Sequence, residues 1–348
     1  MRLLLSVYIS LSASVLIAQL GGVGTYEFLN LSQSARLTAL GGYGSMLRDD
    51  DVNLGMANPA ALNQKTSNQV TFNHNFHIAD ISYGHFAYGF NSDSLDIQFS
   101  LGAQYVSYGE FLRTDVKDQI SGSFGAAEYA VYLSASKLIA SKLSIGTTFK
   151  LVRSDLDQFN AMGFALDVGL QYLKPENRSR WSLVFRNIGQ QFNQFDDQRE
   201  SLPFDIQIGY VKRLEYLPFK FLVTFRDLQR WDIGQSTRIE DDPIFINQAT
   251  SGESGLAIFS DNLFRHLVFG GEFIVGQKET VRLRFGYNHQ RNQELKSSVF
   301  RSFGGFSFGI GIRMKRFRFD YGLGNYHLSG GVSHLSVTLD ISSDGPLF

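Results

Sequence analysis

The chain has 348 residues, a formal net charge of −1 and no cysteine. The balanced charge gives no indication of a nucleic-acid partner, and the missing cysteines exclude disulfides, thiol nucleophiles and thiolate metal sites. With 31 phenylalanines, 15 tyrosines, 34 glycines and only 6 prolines, the composition suits strands better than a packed helical core.

Residues 1–18 have the pattern of a secretory signal peptide. Arg2 precedes an apolar run from Leu3 to Ala18, and such a run is short for a transmembrane helix. The sequence therefore predicts cleavage near Ala18; a membrane-anchoring helix is the alternative.

Residues 19–69 do not alternate like strands. Ser34–Leu40 has helical spacing, and a charged run at 48–51 and an Asn-Pro step follow. A segment this small cannot bury a core alone, so we predict short helices packed as a plug inside a larger structure, or else a periplasmic extension. The candidate plug residues are Gly41, Gly42, Asp50, Asn58 and Pro59.

The run Arg48-Asp49-Asp50-Asp51 lacks the alternating spacing and distal Glu of a calcium loop. We interpret it as a helix N-terminus, where acidic side chains favour the positive end of the dipole.

Strict alternation begins near residue 70. In Met162–Tyr172 the even positions are apolar and the odd positions are small or polar, as in a strand with one face in lipid. The pattern predicts fourteen strands, at 70–78, 81–90, 95–107, 128–136, 143–152, 161–172, 181–188, 204–211, 219–227, 263–275, 281–290, 304–314, 317–324 and 335–341.

The connections between these strands alternate in length. Those after even-numbered strands are short, whereas 108–127, 189–203, 228–262, 291–303 and 325–334 are long, and all six prolines fall outside the strands. The sequence thus predicts an all-β fold: a 14-stranded antiparallel transmembrane β-barrel over 70–341 in the outer membrane, long loops extracellular, with a periplasmic tail at 342–348. A soluble barrel or sandwich would turn the apolar face inward instead.

Two groups of side chains are candidates for function. The polar face should line the lumen with a charge network. We interpret this network as bracing the wall and binding the plug, and an anion path is the alternative. Its members are Asp167, Arg186, Glu272, Arg282, Arg284, Arg313, Arg318 and Asp320. The longest loop, 228–262, carries an apolar cluster for a partner or a lid: Trp231, Ile244, Phe245 and Ile246. No catalytic, metal or cofactor constellation is present.

Residues 22–62 resemble the PorQ family. The matching stretches are Gly22–Leu29, Ser34-Ala35-Arg36, Ala39–Gly42, Arg48–Leu54 and Asn58-Pro59-Ala60. These are FadL-related, PorV-like outer-membrane proteins of the type IX secretion system. The Gly-Gly turn and Asn-Pro-Ala step indicate the FadL superfamily, and the other stretches are closer to PorQ.

This resemblance implies a fourteen-stranded barrel with a plug. It further implies an attachment complex with a PorZ-like surface protein, a PorU-like sortase and a PorV-like barrel, which joins secreted cargo to anionic lipopolysaccharide. The sequence therefore predicts a non-enzymatic barrel, surrounded by outer-membrane lipid, that anchors the PorZ-like partner. The alternative is a FadL-like transporter of hydrophobic small molecules, for which the polar lumenal face is a modest obstacle.

Overall fold

A computed structural model describes residues 24–77, 81–114, 119–193, 200–233, 255–276, 279–295, 303–327 and 330–341. The predicted signal peptide, the predicted tail at 342–348, and Ile244, Phe245 and Ile246 of the candidate docking loop lie outside these residues.

The predicted fold class is confirmed: fourteen antiparallel strands form a closed barrel, each pairing with its neighbours in sequence, and β1 pairing with β14. The strands are β1 Gln69–Phe76, β2 Ser82–Ser92, β3 Ile97–Thr114, β4 Ile120–Ala140, β5 Leu143–Leu156, β6 Phe159–Lys174, β7 Ser179–Asn193, β8 Asp205–Arg213, β9 Phe219–Phe225, β10 Leu267–Val275, β11 Val281–Asn288, β12 Phe306–Met314, β13 Phe317–His327 and β14 Gly330–Asp340. Short turns lie at the end that carries Gln69 and Asp340, here called the turn end. The opposite end is the loop end.

Each strand places its apolar side chains outside and its small or polar side chains inside. In β6, Ala165, Asp167 and Gly169 are buried, whereas the even-numbered side chains between them face out. Across the barrel, exposed side chains such as Phe149, Phe285 and Phe308 form the outer surface. An apolar exterior around a polar interior is the arrangement of a membrane barrel.

Residues 24–67, here called the plug, lie inside the barrel. They form a 3-10 helix at Glu27–Asn30, helix α1 at Ala35–Ala39, helix α2 at Leu54–Ala57, and 3-10 turns at Pro59–Ala61 and Gln64–Thr66. Helix α1 packs against β11 to β14, and Pro59–Ala61 against β4, β5 and β6. The plug runs from the loop end to the turn end, where it leads into β1.

Several predicted boundaries are wrong, each for an identifiable reason. The loop at 108–127 is mostly strand because β3 and β4 continue as a projecting hairpin, and the loop at 325–334 is a tight hairpin. Two strands were predicted too long because helices adjoin them: α3 at Gly255–Arg265 precedes β10, and α4 at His289–Glu294 follows β11. Asp96, which falls within the predicted strand 95–107, lies in a turn before β3.

The barrel wall is uneven in height. Strands β3 to β7 have 14–21 residues, whereas β8 to β12 have 7–9. Nine residues at a tilt of ~40° span about 23 Å, close to an outer-membrane apolar band of ~25 Å. The strands of the taller wall are therefore about 13–30 Å longer along the barrel axis by the same estimate. Helices α3 and α4 cover the short side at the loop end. Among the described residues no helix has the length and apolarity to cross a bilayer.

Candidate functional site: the barrel lumen and its loop end

Arg36 of helix α1 is the centre of a buried ion-pair network between plug and wall. Its guanidinium lies 2.7 Å from Asp49 and 3.2 Å from Asp51, both in the plug, and 3.2 Å from Glu272 of β10. Burial alone would raise the pKa of Asp49, but Arg36 foremost and then Lys220 hold it well below its usual value. The carboxylates are therefore ionised at neutral pH, and the network is charged.

Three of the predicted lumenal arginines contact aspartates of the plug, and a fourth, Arg284, extends the network along the wall. Arg318 lies 2.8 Å from Asp51, Arg282 lies 3.7 Å from Asp50, and Arg313 pairs with Asp50. Arg284 joins Glu272, at 2.9 Å, to Asp320, at 2.6 Å. The structure thus brings Glu272, Arg282, Arg284, Arg313, Arg318 and Asp320 into one network with Asp50 of the plug.

The interpretation of Asp49–Asp51 as a helix N-terminus is wrong. Helix α2 begins only at Leu54, and its N-cap residue Asn53 makes no side-chain capping bond. The three carboxylates instead bind guanidiniums of the plug and wall. Charge-assisted hydrogen bonds to these arginines are stronger than the attraction to the dipole of a one-turn helix.

The remaining predicted lumenal charges, Asp167 of β6 and Arg186 of β7, lie apart from this network. Lys150 lies 2.7 Å from Asp167 and donates a hydrogen bond to the side chain of Asn187 at 2.8 Å. Asn187, at φ +58°, forms a bulge in β7, and its N–H donates to Asp167. Arg186 donates to the carbonyl oxygen of Leu29 in the plug. This cluster fixes the bulge and ties β7 to the plug.

The Asn-Pro step and the Gly-Gly turn are structural joints of the plug. Asn58 accepts a hydrogen bond from the Ala60 N–H and donates to the Ser45 carbonyl, while Pro59 opens a 3-10 turn. Gly41 and Gly42 end helix α1 at φ +88° and +97°, a conformation that favours glycine. These candidate plug residues hold the plug's shape and its close contact with the wall.

One part of the lumen is apolar, which the polar lumenal face predicted from the sequence did not show. Tyr26, Phe28 and Leu29 of the plug fill a chamber near the loop end. Its wall consists of Tyr83, Val106, Ala130, Val152, Ala161, Ala165 and Leu202. Small inward side chains on adjacent strands create the space. The sequence indicates this space at Ala161 and Ala165, once the inward face of the strand is assigned.

Trp231 of the candidate docking loop lies at the loop end against helix α3. Its ring centroid lies 5.3 Å from those of Phe259 and His266, and its carbonyl accepts a hydrogen bond from Asn262. Trp231 is 46% exposed and Leu256 of the helix is 77% exposed. Together with Phe259 and Phe264 they form an exposed apolar surface, here called the loop-end patch.

Sequence reasoning missed Arg36, Asp49, Asp51 and Lys220 as members of the network. Sequence reasoning assigned the three plug residues to local structure, and it gave no partner to Lys220, an inward-facing residue of β9. Their signal was the excess of arginines on β11 to β13, which required nearby carboxylates. No cluster of three or more potential metal ligands occurs among the described residues.

Comparison with known proteins identifies the fold. No protein-family model matches the chain, and no curated protein matches its sequence. Among solved structures, it is similar to the Ralstonia pickettii toluene transporter TbuX, with a TM-score of 0.51 and 13% identity over 89% of this chain and 98% of that chain.

Two further structures agree. The Pseudomonas putida toluene transporter TodX has a TM-score of 0.52 and 13% identity, covering 88% of this chain and 96% of that one. A Pseudomonas aeruginosa FadL homologue has a TM-score of 0.50 and 11% identity, covering 88% and 98%. At these identities the likeness concerns the fold, and the chain has the fold of the FadL-like outer-membrane barrels.

Proposed function

We propose that this chain is a non-enzymatic outer-membrane barrel that anchors a protein at the cell surface. The partner is PorZ-like, in an attachment complex of the type IX secretion system that also contains a PorU-like sortase and a PorV-like barrel. The observation that carries the anchoring role is the exposed loop-end patch above a lumen occupied by a charged, fixed plug. The type IX assignment rests on the resemblance at residues 22–62.

The ion-pair network supports a fixed plug. Arg36 is 1% exposed and contacts three carboxylates, two of them almost fully buried. Removing one member of such a network leaves uncompensated buried charge, which costs about 3–5 kcal/mol. A plug held in this way suits a barrel whose task is structural.

The shape of the loop end supports docking. The β3–β4 hairpin projects on the side of the barrel opposite the short wall that carries helix α3, so the patch lies on the low side of the loop end. The hairpin carries exposed apolar side chains of its own, Phe111, Leu112 and Ile120. Apolar side chains on a surface outside the lipid are typical of protein interfaces. We propose that the loop end faces the outside of the cell, as the sequence predicts for the long loops.

The test is extraction of the tagged protein from its own outer membrane in mild detergent, followed by mass spectrometry. We expect a large surface protein in stoichiometric amount, lost in Leu256→Asn combined with Trp231→Ser. The control is Tyr216→Ser, which removes an aromatic that is 91% exposed at the turn end. Retention of the partner by the loop-end variant, with the barrel folded, would contradict the role of the patch.

A second function, transport of a hydrophobic small molecule, is favoured by the apolar chamber. Phe28 and Leu29 fill space that an aromatic ligand of similar size could occupy if the plug's first residues withdrew. TbuX and TodX are described as toluene transporters.

For this function we would measure toluene uptake into vesicles that contain the barrel. Phe28→Ala should increase uptake by emptying part of the chamber, whereas Phe111→Ala, on the projecting hairpin, should not. A barrel that purifies with a small hydrophobic ligand and no protein partner would favour transport over anchoring.

A further inference from the structure

The lumen contains two arginines at the turn end that the ion-pair network does not include. Arg48 is in the plug, and Arg180 is the second residue of β7, facing inward. Among the described residues neither has a carboxylate oxygen within 4 Å. The nearest acidic residue in sequence, Asp49, is already held by Arg36 at 2.7 Å.

The two arginines lie next to each other at the turn end. Arg180 Nη1 donates to the carbonyl oxygen of Arg48 at 3.2 Å, and Arg48 Nη2 donates to the carbonyl of Leu62 at 3.3 Å. The Nε of Arg48 is buried and has no hydrogen-bond partner. Because a guanidinium has five N–H donors, most donors of this pair remain available.

The electrostatics of this region favour an anion. Burial lowers the pKa of Arg48. The charge of Arg48 acts against that of Arg180, and the more weakly acting charge of Asp49 acts in its favour. Two like charges held together with partial desolvation are stabilised by an anion between them, and paired guanidinium forks match the oxygens of phosphate.

Residues close to the site in the chain line an open cavity at the turn end. Both side chains are half-buried, and the neighbouring β8–β9 turn borders an open cavity of about 330 Å³ lined in part by Arg178 and Arg213. Arg213 is neutralised by Glu279 at 2.8 Å, whereas Arg178 has no carboxylate within 4 Å among the described residues. Arg178 therefore adds a positive charge two residues before Arg180 in the chain.

We propose that Arg48 and Arg180 form a binding site for a phosphate group at the turn end of the lumen, at the seam between plug and wall. The phosphate belongs either to a soluble anion or to a lipid headgroup. Bound there, it joins the plug to β7 as Glu272 of β10 and Arg318 of β13 join it to the other side of the wall.

The test uses the full barrel in uncharged detergent with radiolabelled inorganic phosphate in equilibrium dialysis. We expect saturable binding of one phosphate per barrel, weakened at least about tenfold in Arg48→Gln and in Arg180→Gln, as for loss of a charge-assisted hydrogen bond. The matched control is Arg213→Gln, a nearby arginine that already has a carboxylate partner, and its affinity should stay within about twofold of the parent protein because the site does not use it.

Reconstitution distinguishes the two sources of phosphate. If phosphatidic acid in phosphatidylcholine vesicles displaces the labelled phosphate, the site holds a headgroup; if it does not, the site holds a soluble anion. Arg180→Lys, which keeps the charge but not the fork, should bind with intermediate affinity. The absence of saturable binding to the parent protein, or equal binding to folded Arg48→Gln, would overturn the proposal.

Discussion

Replacing Arg36 by methionine should loosen the plug while the barrel stays closed. Arg36 is fully enclosed, and its removal leaves Asp49, Asp51 and Glu272 without their shared cation. Breaking a buried ion pair from one side costs about 3–5 kcal/mol. We expect a cost at the lower end of this range, because Glu272 still pairs with Arg284 at 2.9 Å and Asp51 still pairs with Arg318 at 2.8 Å.

A loss of ~3 kcal/mol corresponds to a population of the opened plug about 150-fold larger. Amide hydrogen exchange reads this directly. The amides of helix α1 should exchange about a hundredfold faster in Arg36→Met, while those of β5 and β6 should keep their protection.

The matched control is Arg153→Met, which breaks an exposed pair with Asp155 and should change stability by less than ~1 kcal/mol. Exchange in helix α1 within about threefold of the parent protein would refute the argument that Arg36 holds the plug, because that ratio is below 1 kcal/mol.

Three further outcomes are expected. Burial raises the pKa of Asp49 and Asp51, but nearby guanidiniums outweigh burial and hold both pKa values below the usual value. The stabilisation of the fold by these two carboxylates is therefore complete above about pH 4 and is lost as the pH falls further. The melting temperature should stay level from pH 7 to 5 and drop toward pH 3. Gly146→Ala would place a Cβ 2.5 Å from main-chain atoms of the plug and should cost about 1–3 kcal/mol in denaturant unfolding, whereas Gly125→Ala, with its nearest atom at 4.0 Å, should be neutral. Lys150→Met should leave a buried carboxylate unpaired and destabilise the barrel by about 3–5 kcal/mol; an unchanged midpoint would mean that the carboxylate is solvated.

The strand count and the faces of the strands could be predicted because both follow from local pattern. A period of two over nine or more residues fixes which side chains face lipid, as in Met162–Tyr172, and short turns fix which strands are neighbours. The boundaries were less certain where a strand leaves the membrane. Beyond the lipid, β3 and β4 no longer need one apolar face. Phe111 and Leu112 lie on opposite faces of β3, so the sequence does not alternate there and the extension of the strand was not predicted.

The partners inside the lumen could not be predicted because they depend on three-dimensional closure. Arg36 meets Glu272 across 236 positions of sequence, and no periodicity relates them. The lumenal arginines were placed on the correct face, yet their carboxylates were assigned to a helix terminus nearby in the chain. The helix terminus nearby in the chain was a plausible partner for these carboxylates, but closure of the barrel brings the wall arginines closer to them.

The order of these contacts along the chain has a consequence for assembly. The plug comes first, but its ionic partners lie on β9 to β13, among the last strands to be made. Until those strands are in place, Arg36 and the aspartates beside it have only each other and water. The network can therefore form only when the barrel is almost complete, together with the pairing of β1 and β14. Insertion of the plug is then a late event in biogenesis, and it stabilises the closed barrel but not an unfinished one.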